Sequence, residues 1–219
     1  MYWRKKSFYY KLRDEIPLST PLKHLNCTVI DTETTGLSVH KTDRLIEIGA
    51  VSIKNLQVSH DYFHTYINPD REIPEQIIRL TGIDQQKVND APRAIQGIKG
   101  LFDFFEEKQS ACLVGHHAGF DFTVIKKELW REKNFFHKPI LFDTVDLIHI
   151  LYPGWNLGNL EEYANIFSIP TFKRHTAIGD AMTTAYLFVE LLKQMEARGF
   201  NTWGDLLHIT NRYKYRVAY

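Results

Sequence analysis

Residues 29–37 read Val-Ile-Asp-Thr-Glu-Thr-Thr-Gly-Leu. The apolar run LNCTVID ends in two carboxylates one residue apart, followed by small hydroxyl residues and a glycine. Side chains alternate along a strand, so Cys27, Val29, Asp31 and Glu33 share one face, while Thr28, Ile30 and Thr32 share the other. Asp31 and Glu33 therefore meet at the C-terminal end of a strand. Two unit charges about 4 Å apart repel by roughly 4 kcal/mol at an effective dielectric near 20. Either a cation offsets that cost or one acid keeps its proton. A divalent metal is the economical answer, although a solvated turn also accommodates a lone D-x-E.

Two further stretches bring in more acids. GHHAGFD (115–121) places Asp121 just beyond a second short buried strand, ACLVGH, at the start of a helix. HTAIGDA (175–181) supplies His175 on a loop and Asp180 at the opening of the last long helix. Strands ending side by side in one sheet would bring Asp121 next to Asp31 and Glu33. Four carboxylates and a histidine at element ends describe a two-metal phosphodiester site. Two cations about 3.5–4 Å apart would clamp the attacking water and the leaving oxygen. Carboxylates are hard oxygen ligands suited to Mg²⁺ or Mn²⁺. The histidine then serves as a general base, neutral beside the cations, taking a proton from water.

In this order and spacing, VIDTETTGL…EIGAV, GHHAGFD and HTAIGDA resemble the three motifs of the DEDD 3′-to-5′ exonucleases, such as the proofreading (epsilon) subunit of bacterial DNA polymerase III. The similarity runs from about residue 26 to residue 193. It implies an α/β, ribonuclease-H-like fold with a five-stranded mixed β-sheet flanked by α-helices. It also implies release of nucleoside 5′-monophosphates from 3′ ends, with Asp31, Glu33, Asp121 and Asp180 holding two metals. One branch of the family has His five residues before the last Asp and the other has Tyr four residues before it. With His175 and Thr176 at these positions, this chain resembles the histidine branch. The same resemblance implies that Thr34, Thr35 and Gly36 offer backbone and hydroxyl donors to the terminal nucleotide. Leu37 would pack on its base and Phe120 on the penultimate one. The loop LTGID, with Thr81, Gly82 and Ile83, is similar to one that many members write H-G-I-T, so Thr81 replaces an imidazole. His117 stands where motif II usually carries Asn.

The rest of the chain is consistent with one such domain. Its 219 residues, 44% hydrophobic, suffice for a sizeable core. A formal charge of +1 excludes a whole-molecule field that attracts nucleic acid, so any such contact is local. Cys27 and Cys112 read as buried structural thiols, too few for a disulfide or metal framework. No apolar run approaches a membrane span, and the N-terminus has no apolar h-region, so a reducing cytoplasm is expected.

LNCTVID, RLIEIGAVSI and SHDYFHTYINP predict a meander of three strands. Pro92 fits the first turn of a helix carrying Ile95, Ile98, Leu101, Phe102 and Phe105. A helix is expected from about Asp121, with Val124, Ile125, Leu129 and Trp130 as its apolar residues. The strand PILFD leads into a helix stopping near Pro153, and helices over 159–167 and 178–197 follow. Residues 25–199 form the expected exonuclease domain. Residues 1–24 are a basic aromatic arm and 200–219 a C-terminal extension. The arm (Arg4, Lys5, Lys6, Lys11, Arg13 and Lys23 among Trp3, Phe8, Tyr9 and Tyr10) either packs on the domain or stacks on nucleic acid.

Several residues near the motifs have simpler readings. His116 and His117 point apart on an extended segment and should not share one ion. Glu47 reads as a hydrogen-bonding acid, Asp143 and Asp146 as helix caps, and Trp155 as packing. The function that follows is exonucleolytic cleavage of single-stranded or frayed DNA 3′ ends. A ribonuclease trimming short RNA is the alternative, and an inactive nucleic-acid-binding module is the rival from another class. The appendages could dock a polymerase or repair partner, and nothing in them identifies one.

Overall fold

A computed structural model describes residues 6–7, 16–136, 139–155 and 158–217, with side chains from 16 to 213 within those ranges. In chain order its strands are β1 (Lys6–Ser7), β2 (Asn26–Thr34), β3 (Leu45–Lys54), β4 (Gln57–Tyr66), β5 (Cys112–Gly115), β6 (Asn134–Phe135) and β7 (Leu141–Asp143). Three helices lie between β4 and β5: α1 (Glu75–Thr81), α2 (Gln85–Asn89) and α3 (Ala94–Glu107). Next come α4 (Ala118–Arg131), α5 (Thr144–Leu151), α6 (Leu160–Ile166), α7 (Ala177–Ala197) and α8 (Trp203–Val217). Among the described residues, no helix is long and apolar enough to cross a membrane.

The expected five-stranded mixed sheet is present, in the order β4-β3-β2-β5-β7. The meander pairs antiparallel, whereas β5 and β7 run parallel to β2 and its direction. The carboxyl ends of β2 and β5 therefore lie at the same edge of the sheet. Alternation along β2 divides the core into two layers. Cys27 and Val29 pack with Leu187, Phe188, Leu191 and Met195 of α7 and with Trp203 and Leu206 of α8. Ile30 packs on the opposite side, with Ile98, Leu101 and Phe102 of α3 and Val124, Ile125 and Leu129 of α4. Each such side chain contributes about 1.5–3 kcal/mol when fully buried.

Local chemistry shifts several boundaries from their expected places. Pro92 lies just outside α3 rather than in its first turn. The Gln96 side chain accepts from the Arg93 amide, making Arg93 the N-cap, and the Pro92 carbonyl accepts from Asn68 instead. Helix α4 begins three residues before Asp121, because His117 adopts a left-handed conformation (φ 61°) and turns the chain at once. Trp130 is 60% exposed, with the Lys127 ammonium over its ring, since the buried side of α4 runs through Val124, Ile125, Glu128 and Leu129. Asp143 caps α5 as expected, accepting from Val145, and Trp155 stacks on Tyr152. The cysteines are free and buried, and they are register partners with sulfurs 3.4 Å apart. Within the expected C-terminal extension the chain forms α8, whose Trp203 and Leu206 join the main core, and Tyr213 hydrogen-bonds His149. The side chains of the N-terminal arm through Arg13 and of the tail beyond Tyr213 lie outside the described residues.

One close approach sets the position of α7. Gly49 of β3 pairs with Asp31, and a Cβ there would lie 2.4 Å from the Ala177 carbonyl carbon and the Ile178 nitrogen. Only a glycine lets the first turn of α7 sit against the strand beside Asp31. Gly49→Ala should therefore destabilise the protein by about 1–3 kcal/mol. Urea denaturation monitored by circular dichroism measures that loss.

Candidate active site

Oxygens of Asp31, Glu33 and Asp180 lie within 4.8 Å of one another. Asp31 and Glu33 come from the α7-facing side of β2, as alternation predicts, and Asp180 from the first turn of α7. Buried Glu47 holds that turn in place. It stands opposite Glu33 on β3, accepts the Ala177 amide at 2.8 Å, and pairs with His64 Nε2 at 2.6 Å. Glu47 thus has the hydrogen-bonding role expected of it.

Asp121 arrives from the other layer. Its helix covers the Ile30 side of the sheet, so the hydroxyl of Thr32 donates to Asp121 Oδ1 at 2.6 Å. Although outside the group of three, its charge acts on Asp31 and Glu33. Burial, followed by the charges of Asp121, Asp180 and Glu33, raises the Asp31 carboxyl well above its ordinary range. Burial and then Asp180 push Glu33 up to about 8. Asp121 rises to about 7, chiefly through burial, against the pull of the Thr32 hydrogen bond. Asp180 is also raised by burial, opposed first by Arg174.

Arg174 was not foreseen from the sequence. Its guanidinium is bonded to Asp180 Oδ1 and it lowers both Asp31 and Glu33. Its only signal in the sequence is a cation immediately before His175 in KRHTAIGD. His175 itself is half-buried in a left-handed conformation (φ 58°), and its amide donates to Asp180 Oδ2 at 3.2 Å. The residue expected to act as base and the last acid of the cluster are thereby tied together.

A cleft of about 210 Å³ opens here, lined by Asp31, His116, His117, Asn159, Arg174 and Asp180. His116 bonds Thr144 through Nδ1 at 2.8 Å, and burial above all pushes it down to about 3, so its ring is neutral. The two histidines do not diverge as an extended segment would require. His117 is left-handed, and the rings meet edge-on with centroids 5.0 Å apart. Neither belongs to the group of acids that could hold a metal among the described residues.

Around the motif I loop, Leu37 is 85% exposed and free to meet a ligand. The hydroxyls of Thr34 and Thr35 turn inward, donating to the Gly36 carbonyl and to Asp43. Thr81 donates to the Ile77 carbonyl, Gly82 ends α1 in a left-handed conformation, and Ile83 is buried with Ile46, Ile73 and Val88. Phe120 packs partly against the α3–α4 layer. The structure gathers the acidic residues, while Thr81 and Ile83 serve the corner between α1 and α2.

Comparison with known proteins agrees with this geometry. The family model described as Exonuclease (RNase_T) matches residues 28–188. The chain belongs to this exonuclease family. It is 40% identical over 193 residues to a DNA polymerase III subunit epsilon-like protein of Rhodobacter capsulatus, covering 86% of this chain and 27% of that protein. It is 34% identical over 187 residues to the 3′-5′ exonuclease DinG of Bacillus subtilis, covering 84% of this chain and 19% of that protein. The chain thus spans well under a third of the length of either relative. Among solved structures, exonuclease X in complex with 5′ overhanging duplex DNA has a similar fold. Its TM-score is 0.62 at 24% identity, covering 84% of this chain and 99% of that one. The nuclease domain of 3′hExo, a DEDDh family member bound to rAMP, gives a TM-score of 0.66 at 17% identity, covering 80% and 94%. These neighbours identify the fold as ribonuclease-H-like.

A raised carboxyl binds more protons in the folded chain than in the unfolded one, so stability falls as pH rises between the two pKa values. For Glu33 that window runs from 4.5, its ordinary value, to about 8. In the presence of chelator, the protein should lose stability between pH 5 and pH 8. Glu33→Gln should reduce the slope, and millimolar Mn²⁺ should reduce it as well. Chemical denaturation across this range checks both. Arg174→Gln, which removes a cation from the cluster, should lower the chelated protein's melting temperature most at the alkaline end.

Proposed function

We propose that this chain is a metal-dependent 3′-to-5′ exonuclease that releases nucleoside 5′-monophosphates from single-stranded or frayed DNA 3′ ends. The observation that carries this reading is the convergence of Asp31, Glu33 and Asp180 within 4.8 Å, beside the loop that bears His175. Such a set of hard oxygen donors, held together against their own repulsion, fits divalent cations of the Mg²⁺ or Mn²⁺ kind. Asp31, Glu33, Asp121 and Asp180 would hold two of them. When bound, the cations would neutralise charge at the phosphate and make water more acidic.

The chain's own residues account for the remaining steps. His175 takes a proton from the attacking water on an imidazole nitrogen. The water oxygen bonds to phosphorus as the bond from phosphorus to the 3′ oxygen breaks, and that oxygen takes up a proton. Asp180 orients the base by accepting the His175 amide at 3.2 Å. Leu37, 85% exposed and four residues after Glu33, offers an apolar face to the terminal base. With both threonine hydroxyls and the Thr35 and Ser38 amides engaged within the protein, contact to the nucleotide falls to the backbone amides between them. The preference for DNA is supported by the names of the relatives, a polymerase III subunit epsilon-like protein among them. We place the reaction in the cytoplasm.

Asp31→Asn and His175→Ala should each lower turnover, the latter by roughly 10²–10⁴-fold, the usual contribution of a general base. The assay uses DNA and RNA oligomers labelled at either end, in single-stranded, paired and 3′-mismatched forms, with Mg²⁺, Mn²⁺ or chelator. Near-normal turnover by either variant would refute the assignment. Faster cleavage of RNA would replace the DNA preference with the ribonuclease alternative.

A further inference from the structure

Helix α4 carries a second buried acid that the proposed chemistry does not use. Glu128 is only 2% exposed and lies seven residues after Asp121. Seven residues are close to two helical turns, so both acids lie on the same side of α4, about 10 Å apart along its axis. A buried carboxylate is costly unless it is paired and hydrogen-bonded. Glu128 is paired twice. Arg44 approaches it through two nitrogens, Nε to Oε1 and Nη2 to Oε2, each at 2.9 Å. Arg131 Nη1 reaches Oε1 at 2.6 Å, and the Leu45 amide adds a longer contact at 3.3 Å.

Both arginines continue into the loop between β2 and β3. Arg44 closes its base: its carbonyl accepts the Thr35 amide at 2.8 Å, and its own amide donates to Thr35 Oγ1 at 3.0 Å. Arg131 Nη2 donates to two loop carbonyls, Val39 at 3.1 Å and Asp43 at 3.2 Å. The Asp43 carboxylate completes the brace by accepting from the Ser38 amide and the Thr35 hydroxyl. The one large apolar side chain that this loop exposes is Leu37. An exposed leucine on a loop fastened this thoroughly is held out for contact.

We propose that Glu128, through Arg44 and Arg131, is a positioning residue that sets where Leu37 stands relative to the carboxylate cluster. The inference rests on the exonuclease reading above. One rigid helix then fixes both ends of the measurement. Asp121 belongs to the reacting centre, and two turns later Glu128 anchors the loop that receives the terminal base.

Arg131→Gln is the main variant, because Arg131 is partly exposed and its loss leaves the Arg44–Glu128 pair intact. Glu128→Gln is the second. Steady-state kinetics on a single-stranded oligonucleotide, well below each variant's melting temperature, are compared with Mn²⁺ binding by calorimetry. Arg131→Gln should raise KM about tenfold, a change equivalent to the loss of one modest contact, with Mn²⁺ affinity unchanged. In a double-mutant cycle, Arg131→Gln should add nothing to the effect of Leu37→Ala, because both remove the same contact. A brace that serves folding alone would lower the melting temperature without moving KM, or would act additively with Leu37→Ala, and either result would overturn the inference. Absence of metal-dependent turnover in the unmodified protein would instead overturn the exonuclease reading, and the inference with it.

Discussion

Like charges crowded into a cleft at the end of a sheet set the terms for the residues around them. Asp31, Glu33 and Asp180 bring oxygens within 4.8 Å, and burial removes the water that would otherwise screen them. Part of the compensation comes from the chain itself, as Arg174 on Asp180 and as the Thr32 hydroxyl on Asp121. The uncompensated part is visible as carboxyls that keep their protons far above their usual range. Divalent cations are the natural counterpart of such a donor set, which joins the electrostatics of the site to the proposed chemistry.

Holding the acids together requires that the surrounding fold resist their separation. Both sheet faces are sealed by helices, with α7 against one and α3 and α4 against the other. The critical joint lies between β3 and the start of α7. Gly49 permits contact between backbones there, and Glu47 accepts the Ala177 amide across a gap of 130 residues in sequence. The same packing places Glu128 where, through Arg44 and Arg131, it holds the loop that exposes Leu37, so one core supports both the acids and the surface beside them.

Much of this was legible from residue order. The alternation in LNCTVID and the apolar runs that follow are local signals, and they yielded β2, β3, β4, β5 and β7 in their places. The long helices α3, α4 and α7 showed their apolar spacing in the same way. Helices α1 and α2 escaped notice, since seven and five residues give little periodic signal, and α1 lacks the side-chain cap that Asn159 gives the equally short α6. Helix α8 was hidden by its largely polar sequence, WGDLLHITNRYKYRV. The start of α4 was misplaced because a left-handed His117 leaves no trace in spacing or propensity.

By itself the sequence singled out four acids, gave their order along the chain, and placed Asp31 and Glu33 on one strand face. These are properties of near neighbours, governed by the two-residue repeat of a strand and by motif spacing. Only the tertiary structure decided that Asp121 comes from the opposite layer and is held by Thr32, 89 residues away. It alone placed Arg174 on Asp180, turned the hydroxyls of Thr34 and Thr35 inward, and joined Glu128 to the Leu37 loop. Those partners are chosen by how helices pack on the two sheet faces, and no local pattern encodes that packing.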